Sequence, residues 1–171
     1  MVFARTKLML QDNCFDKEPG ELELNYVGPN PQKLYKTMFD VAKTVFMVPD
    51  SDLQEERFTW GKKETEKFKS RLWVNKDVDK FTHMFVRLDF SGQGTEKTGN
   101  ATIRIKPVIR TEYPQDTVWQ RSIFYELIRT LWHNVFYHQK RADYTEECRH
   151  YTFLFQKKMQ QAFKKLKEQY G

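Results

Sequence analysis

Four strand-like segments follow one another between residues 53 and 113 with only short turns between them. This spacing constrains the fold more than any other feature of the sequence. The segments span Leu53–Trp60, Glu66–Asn75, Lys80–Phe90 and Asn100–Tyr113. A parallel connection would need a crossover of a dozen or more residues, and none of these turns is that long. The four segments are therefore predicted to form an antiparallel meander.

Two strands and a helix are predicted before the meander. Residues 2–10 and 21–28 read as strands, and the second alternates apolar and polar side chains. Asn30 is a favourable N-cap and Pro31 a favourable first residue for a helix. Apolar residues then recur at helical spacing until the chain reaches Pro49.

Two more helices are predicted after Pro114. The first runs from Asp116 or Thr117 to about His138. Its broad apolar face consists of Phe124, Leu127, Ile128, Leu131, Trp132, Val135 and Phe136. A short break near residues 141–143 leads to a last, long helix with the apolar stripe Tyr144, Cys148, Tyr151, Phe155, Met159, Ala162 and Leu166. The predicted fold class is α+β: an antiparallel β-meander sheet packed against one N-terminal and two C-terminal helices, in a single domain spanning residues 1–171.

Composition and charge indicate which broad classes of protein fit this sequence. No apolar run approaches the roughly 20 residues that cross a bilayer, so no membrane span is expected. Cys14 and Cys148 lie far apart, which makes a disulfide framework implausible and favours a reduced, cytoplasmic protein. The net charge is +6; residues 1–85 carry 14 basic and 14 acidic side chains, and residues 86–171 carry 15 and 9. A basic half favours a polyanionic partner such as nucleic acid or the ribosome, or it is simply a solvated lysine face.

The stretch "FSGQGTEKTG", residues 90–99, superficially resembles a phosphate-binding loop. A P-loop has the pattern Gly-x4-Gly-Lys-Ser/Thr and joins a strand to a helix. Here Glu96 precedes Lys97 where glycine is required, and another strand follows. The stretch is predicted to be a hairpin tip whose glycines supply positive φ angles.

The C-terminal helices contain residues that could bind a metal or act in catalysis, but their spacing is unfavourable. His133 and His138 are five apart and project about 140° apart around a helix. Glu147 and His150 form one Glu-x-x-His unit, whereas di-iron bundles need two. Cys148 lies on the apolar stripe. We expect no metal, no cofactor and no catalytic residue, and a binding protein is favoured over an enzyme.

Alternation within the meander separates an apolar face from a basic, aromatic one. The second face is predicted to carry Lys67, Lys69, Arg71, Trp73, Phe81, Phe85, Arg87, Arg104, Lys106 and Arg110. Cations that meet phosphates and rings that stack on bases are what proteins use to bind single-stranded nucleic acid. The alternatives are a solvated face and a homodimer formed through this side of the sheet.

The order of elements, with a strand, a helix, an antiparallel meander and a long C-terminal helix, resembles the helix-grip fold of the START and Bet v 1-like superfamily. The resemblance covers about residues 21–166. It implies a curved sheet that wraps the long helix and leaves a cavity for an apolar small molecule or lipid. The residues expected to line such a cavity are Phe68, Leu72, Met84, Val86, Ile103, Ile105, Tyr151, Phe155 and Met159. The helix at about residues 117–138 could instead fill it.

Overall fold

The computed structural model describes residues 9–16, 20–62 and 65–170. It confirms the α+β class, with a six-stranded antiparallel sheet, an N-terminal helix and a long C-terminal helical stretch. The strands are β1 (Met9–Asn13), β2 (Leu22–Val27), β3 (Leu53–Lys62), β4 (Glu66–Asp77), β5 (Thr82–Gly94) and β6 (Gly99–Glu112). The predicted strand at residues 2–10 lies largely outside the described residues, and β1 begins at Met9.

The predicted meander is formed by β3, β4, β5 and β6, which pair in sequence order. The last strand, β6, is 14 residues long and pairs with two N-terminal strands on its other side. Its first part pairs with β2, from Asn100 opposite Val27 to Ile105 opposite Leu22. Its second part pairs with β1.

One face of the sheet is buried, as the alternation predicts. In β5 every second residue from Thr82 to Phe90 is buried, and the residues between them are half-buried. This inner face packs with helix α1 (Leu34–Phe46) and helix α3 (His138–Tyr170) in one hydrophobic cluster. The core therefore lies between the sheet and these two helices.

The glycines of the β5–β6 hairpin serve close packing, so the prediction that they supply positive φ was wrong. Both strands continue through them, with Gly94 opposite Gly99, and the turn is made by residues 95–98. Gly20 is the glycine with positive φ in the described part of the chain. A Cβ on Gly92 would lie 2.2 Å from the carbonyl oxygen of Asn100, which explains the absence of a side chain there.

The two cysteines form a disulfide bond, contrary to the prediction from the sequence. Cys14 and Cys148 are 134 residues apart in sequence, yet their Cα atoms are separated by 6.1 Å. The pairing of β1 with β6 carries the chain that follows β1 alongside α3. The distance between the cysteines in the sequence did not predict the disulfide, because the pairing of β1 with β6 brings distant parts of the chain together.

The two predicted C-terminal helices are one continuous helical stretch, so the expected break near residues 141–143 is absent. Helix α2 (Ile123–Trp132) passes into a π-helical turn (His133–Tyr137) and then directly into α3. The π-helical turn changes which side of the helix the following residues face, while the chain stays helical. In the described residues, no helix is long and apolar enough to cross a membrane.

The apolar face of α2 does not pack on the sheet, which also corrects the prediction from the sequence. Phe124, Leu127 and Leu131 are 58, 61 and 65 % exposed. Instead the opposite, polar side of the helix faces the protein, where Arg129 is buried. Two helices, α1 and α3, back the sheet, and α2 does not fill a cavity between them.

Candidate functional site

The predicted basic and aromatic residues lie on the outer face of the sheet, opposite the core. Their side chains are half-buried or exposed. The strand register determines which of them meet. Trp73 of β4 lies opposite Arg87 of β5, which lies opposite Lys106 of β6. Arg71, Asp89 and Arg104 form the neighbouring row.

An aromatic groove of about 280 Å³ lies on this face. It is lined by Gln54, Trp73, Asn75, Phe85 and Arg110. The guanidinium carbon of Arg110 lies 4.5 Å from the centroid of the Phe85 ring, within the range of a cation–π contact. The Trp73 indole N–H donates a hydrogen bond to Glu56 Oε2 at 2.7 Å, which fixes one edge of that ring. The groove thus combines two aromatic rings with a cation and two side-chain amides.

A basic pocket of about 220 Å³ lies further along the same strands. Four cationic residues line it, namely Arg57, Lys69, Arg71 and Arg104, together with the carboxylate of Asp89. Lys69 and Trp73 are four residues apart on β4, or about 13 Å at the rise of an extended strand. A ligand the size of a short oligonucleotide can therefore reach both the groove and the pocket.

Carboxylates hold several of these arginines in place. Arg71 donates through Nε to Asp89 at 2.6 Å, and the Nε of Arg87 lies 3.0 Å from the other oxygen of Asp89. Arg104 Nε donates to Glu23 at 2.9 Å. Within the described residues, Lys69 and Lys106 have no carboxylate within ion-pair distance. Lys69 and Lys106 are therefore cations of this face that are not ion-paired to a described carboxylate.

The same contacts shift the pKa values of the groups involved. The hydrogen bond from Trp73 lowers the pKa of Glu56, and the charge of Arg71 adds to the effect. Hydrogen bonds from Asn25 and Arg104 lower the pKa of Glu23. The hydrogen bond to Asp89 raises the pKa of Arg71. Glu23 and Glu56 are therefore ionised at neutral pH, and they orient the Arg104 and Trp73 side chains of the site.

A β-bulge adds residues that the sequence did not reveal as part of the site. The register between β3 and β4 shifts between Glu55 and Arg57, so Glu56 is the extra residue. Bulges re-aim side chains, and here Glu56 and Arg57 both contribute to the outer face. Strict alternation along β3 would have assigned them to opposite faces, so the sequence offered no signal for this pair.

Four predicted residues line neither the groove nor the pocket. Two of them, Arg87 and Lys106, continue the row of Trp73 across the sheet. Phe81 packs at the end of the sheet, with its ring centroid 5.5 Å from that of Tyr113. Lys67 lies one step beyond Lys69 on the same side of β4, opposite Gln93, and lines neither feature.

The nine residues predicted to line an apolar cavity come together in the core. Phe68, Leu72, Met84, Val86, Ile103, Ile105, Phe155 and Met159 are each at most 4 % exposed and belong to one cluster, against which Tyr151 packs from its edge. They occupy the layer between the sheet and α3. Whether they admit a ligand remains a prediction.

Metal binding has no geometric support in the part of the chain that the structure describes. No group of three or more His, Cys, Asp or Glu side chains there could hold an ion. His133 Nδ1 instead lies 2.7 Å from the Tyr113 hydroxyl, with which it shares a hydrogen bond.

Comparison with known proteins assigns no family. No protein-family model matches the chain, and no curated protein matches it.

Proposed function

We propose that this protein binds single-stranded nucleic acid on the outer face of its sheet. The observation that carries the proposal is the aromatic groove of Trp73 and Phe85 beside a pocket lined by four cationic residues. Stacking of a base on an aromatic ring is worth about 1–3 kcal/mol and tolerates any base. Phosphates neutralised by cations supply the remaining affinity through counterion release.

Each part of the site has a role in this proposal. Trp73 and Phe85 offer the rings on which bases stack, and Arg110 covers Phe85 until a base displaces or joins it. Lys69 and Arg57 meet backbone phosphates in the basic pocket, where Asp89 holds Arg71 in position. Gln54 and Asn75 can hydrogen-bond to a base edge, because their side chains line the same groove.

The decisive measurement is fluorescence anisotropy with a short labelled single-stranded RNA and the matching DNA, at low and at physiological salt. Trp73→Ala should weaken binding by about 1–3 kcal/mol and leave the fold intact, because the ring lies on the outer face. Phe58→Ala is the matched control. Phe58 is an exposed aromatic residue of the neighbouring strand β3, but it lies opposite Ser70, whose side chain is buried on the inner face.

A charge reversal tests the basic pocket separately. Arg104→Glu should reduce the slope of log affinity against log salt by about 0.7 for each phosphate that the pocket no longer binds. Lys158→Glu changes the net charge equally on α3, away from the outer face, and should leave the slope almost unchanged. Absence of binding by the wild-type protein at low salt would refute the proposal. Binding that responds equally to both charge reversals and ignores Trp73→Ala would reduce it to generic polycation behaviour.

A second candidate is the binding of an apolar small molecule or lipid in the core, as in helix-grip proteins. It is supported by the convergence of all nine predicted residues in one layer between sheet and α3. Native mass spectrometry of the purified protein tests it. A co-purifying apolar mass that is absent from Met84→Trp, which would fill the site, supports the candidate. A bare protein mass after purification without detergent argues against it.

A further inference from the structure

Helix α2 is attached to the body with its polar side inward and its apolar side outward. Glu126 accepts a hydrogen bond from Gln115 Nε2 at 2.8 Å and another from Arg129. His133 bonds to Tyr113, and Tyr125 donates to the carbonyl oxygen of Pro114 at 3.2 Å. An amphipathic helix normally buries its apolar stripe. The polar anchors hold this one in the reverse orientation.

The exposed apolar surface of this segment is large. Ten residues that are 47–65 % exposed contribute to it, namely Val118, Trp119, Ile123, Phe124, Leu127, Ile128, Leu131, Trp132, Val135 and Phe136. With on the order of 100 Å² exposed by each side chain of this size, the surface presents about 1,000 Å². The largest apolar patch on a typical monomer covers about 300–600 Å². A stable interface needs about 800 Å² from each partner.

The pattern of apolar residues along α2 is the same in both directions. Ile123, Leu127 and Leu131 form one row at intervals of four, and Phe124, Ile128 and Trp132 form the other. Rows at this interval interdigitate in the commonest class of helix packing. If two copies pack antiparallel around a two-fold axis, Leu127 lies opposite Ile128 of the other copy at the axis.

The aromatic residues at the two ends of the segment fit the same arrangement. Trp119 and Phe124 form a ring pair with centroids 5.6 Å apart, and Trp132 and Phe136 form another at 5.2 Å. In an antiparallel dimer the first pair of one copy faces the second pair of the other. Tryptophan is among the residues enriched at the few positions that supply most of the binding energy of an interface.

The charges on α2 favour a protein partner over a lipid surface. Helices that lie on membranes carry lysines and arginines on the polar side, where they meet anionic headgroups. Residues 118–136 contain two basic side chains. Arg121 donates a hydrogen bond to the carbonyl oxygen of Gln115, and Arg129 is buried against the body with its guanidinium over the Tyr113 ring. The segment therefore has no row of lysines and arginines to offer a membrane.

We propose that the apolar face of α2 is the interface of a homodimer, in which the α2 helices of two copies pack antiparallel around a two-fold axis at Leu127 and Ile128. The inference is independent of nucleic-acid binding, because it concerns a different surface.

Sedimentation velocity over a range of concentrations tests the dimer, since one chain has a mass of 20.7 kDa. We expect a species of twice that mass. Leu127→Glu should raise the dissociation constant of the dimer about 30-fold or more, as for a central interface residue. The matched control Val27→Glu replaces another exposed apolar residue, on β2, and should leave dimerisation unchanged. Far-ultraviolet circular dichroism checks that both variants are folded.

Cysteine cross-linking tests the antiparallel geometry. Ile128→Cys should form an intermolecular disulfide under mild oxidation, because residue 128 lies at the axis. Val135→Cys should not, because the two copies of residue 135 would be about 22 Å apart along the helix pair. Three outcomes would overturn the proposal: a monomer at every concentration, a dimer indifferent to Leu127→Glu, or efficient cross-linking at residue 135. Flotation of a monomer with phosphatidylglycerol vesicles, abolished by Leu127→Glu, would also overturn it and assign the face to lipid.

Discussion

Removing the Cys14–Cys148 disulfide should lower the free energy of unfolding substantially. The bond closes a loop of 134 residues, which is most of the chain. In the chain-entropy model, a loop of this length restricts the unfolded state by about 5 kcal/mol at 25 °C. Measured losses for native disulfides are about 2–5 kcal/mol, so we expect Cys14→Ser with Cys148→Ser to fall in that range. For a protein of this size, such a loss lowers Tm by roughly 5–20 °C.

The structure also indicates where the loss of stability would be seen first. In β1, four of five residues are exposed, and Cys14, which follows it directly, is fully buried. Without the disulfide, this segment keeps its pairing with β6 and the ion pairs of Arg149 with Asp16 and Arg141 with Asp12, each at 2.8 Å. The carboxylates of both pairs are exposed to solvent, which weakens the two ion pairs. Amide exchange should therefore accelerate in β1 before it does in β4 or β5.

Urea denaturation followed by circular dichroism provides the measurement. The oxidised wild type should unfold at the highest urea concentration. The reduced wild type and the double variant should have lower midpoints that are similar to each other. The single variant Cys148→Ser lacks both the bond and the thiol on α3. The difference between its midpoint and that of the reduced wild type therefore measures the packing lost at residue 148. If the oxidised and reduced proteins differ by less than about 1 kcal/mol, the closed loop does not stabilise this fold by the chain-entropy effect.

Two further predictions concern titratable groups. Burial opposes ionisation of Asp79, but hydrogen bonds from the Phe81 amide, Tyr137, Tyr144 and the Thr82 amide outweigh it and lower its pKa. This contribution to stability is present above the unfolded pKa and is lost as pH falls through the folded one. Asp79→Asn should cost about 2 kcal/mol at pH 7 and reduce the loss of stability below about pH 4. Asp77→Asn, which removes only an exposed pair with His83, should cost much less at pH 7. Burial and, to a smaller extent, the charge of Arg141 lower the pKa of His133. Docking of α2 is therefore strongest above about pH 6.5 and weakens as pH falls, which hydrogen exchange of α2 at pH 7 and pH 5 would reveal. His133→Phe should remove that pH dependence, and a wild-type α2 equally protected at both pH values would contradict the argument.

The sheet could be predicted from the sequence because the patterns that specify it lie within single strands and the short turns between them. Short turns impose antiparallel pairing, and alternation then determines the inner and outer faces, as β5 shows residue by residue. The bulge at Glu56 could not be predicted, because one extra residue leaves the average alternation of β3 nearly unchanged. The disulfide also escaped prediction. It depends on β1 pairing with β6, a contact between segments about 100 residues apart.

The apolar face of helix α2 was predicted to pack on the sheet, because apolar faces usually turn inward, and this prediction was wrong. A helix at the end of a sheet can bury either its apolar side or a side with good hydrogen-bonding partners. Here β6 is followed by Tyr113 and Gln115, whose polar groups would be costly to bury unpaired. Glu126, Arg129 and His133 recur at intervals of three or four, and Glu126 and His133 bond to Gln115 and Tyr113. The apolar side is then left outward, where it is exposed among the described residues. In the homodimer that we propose, a second copy of α2 would cover this side with a surface of the same size and pattern.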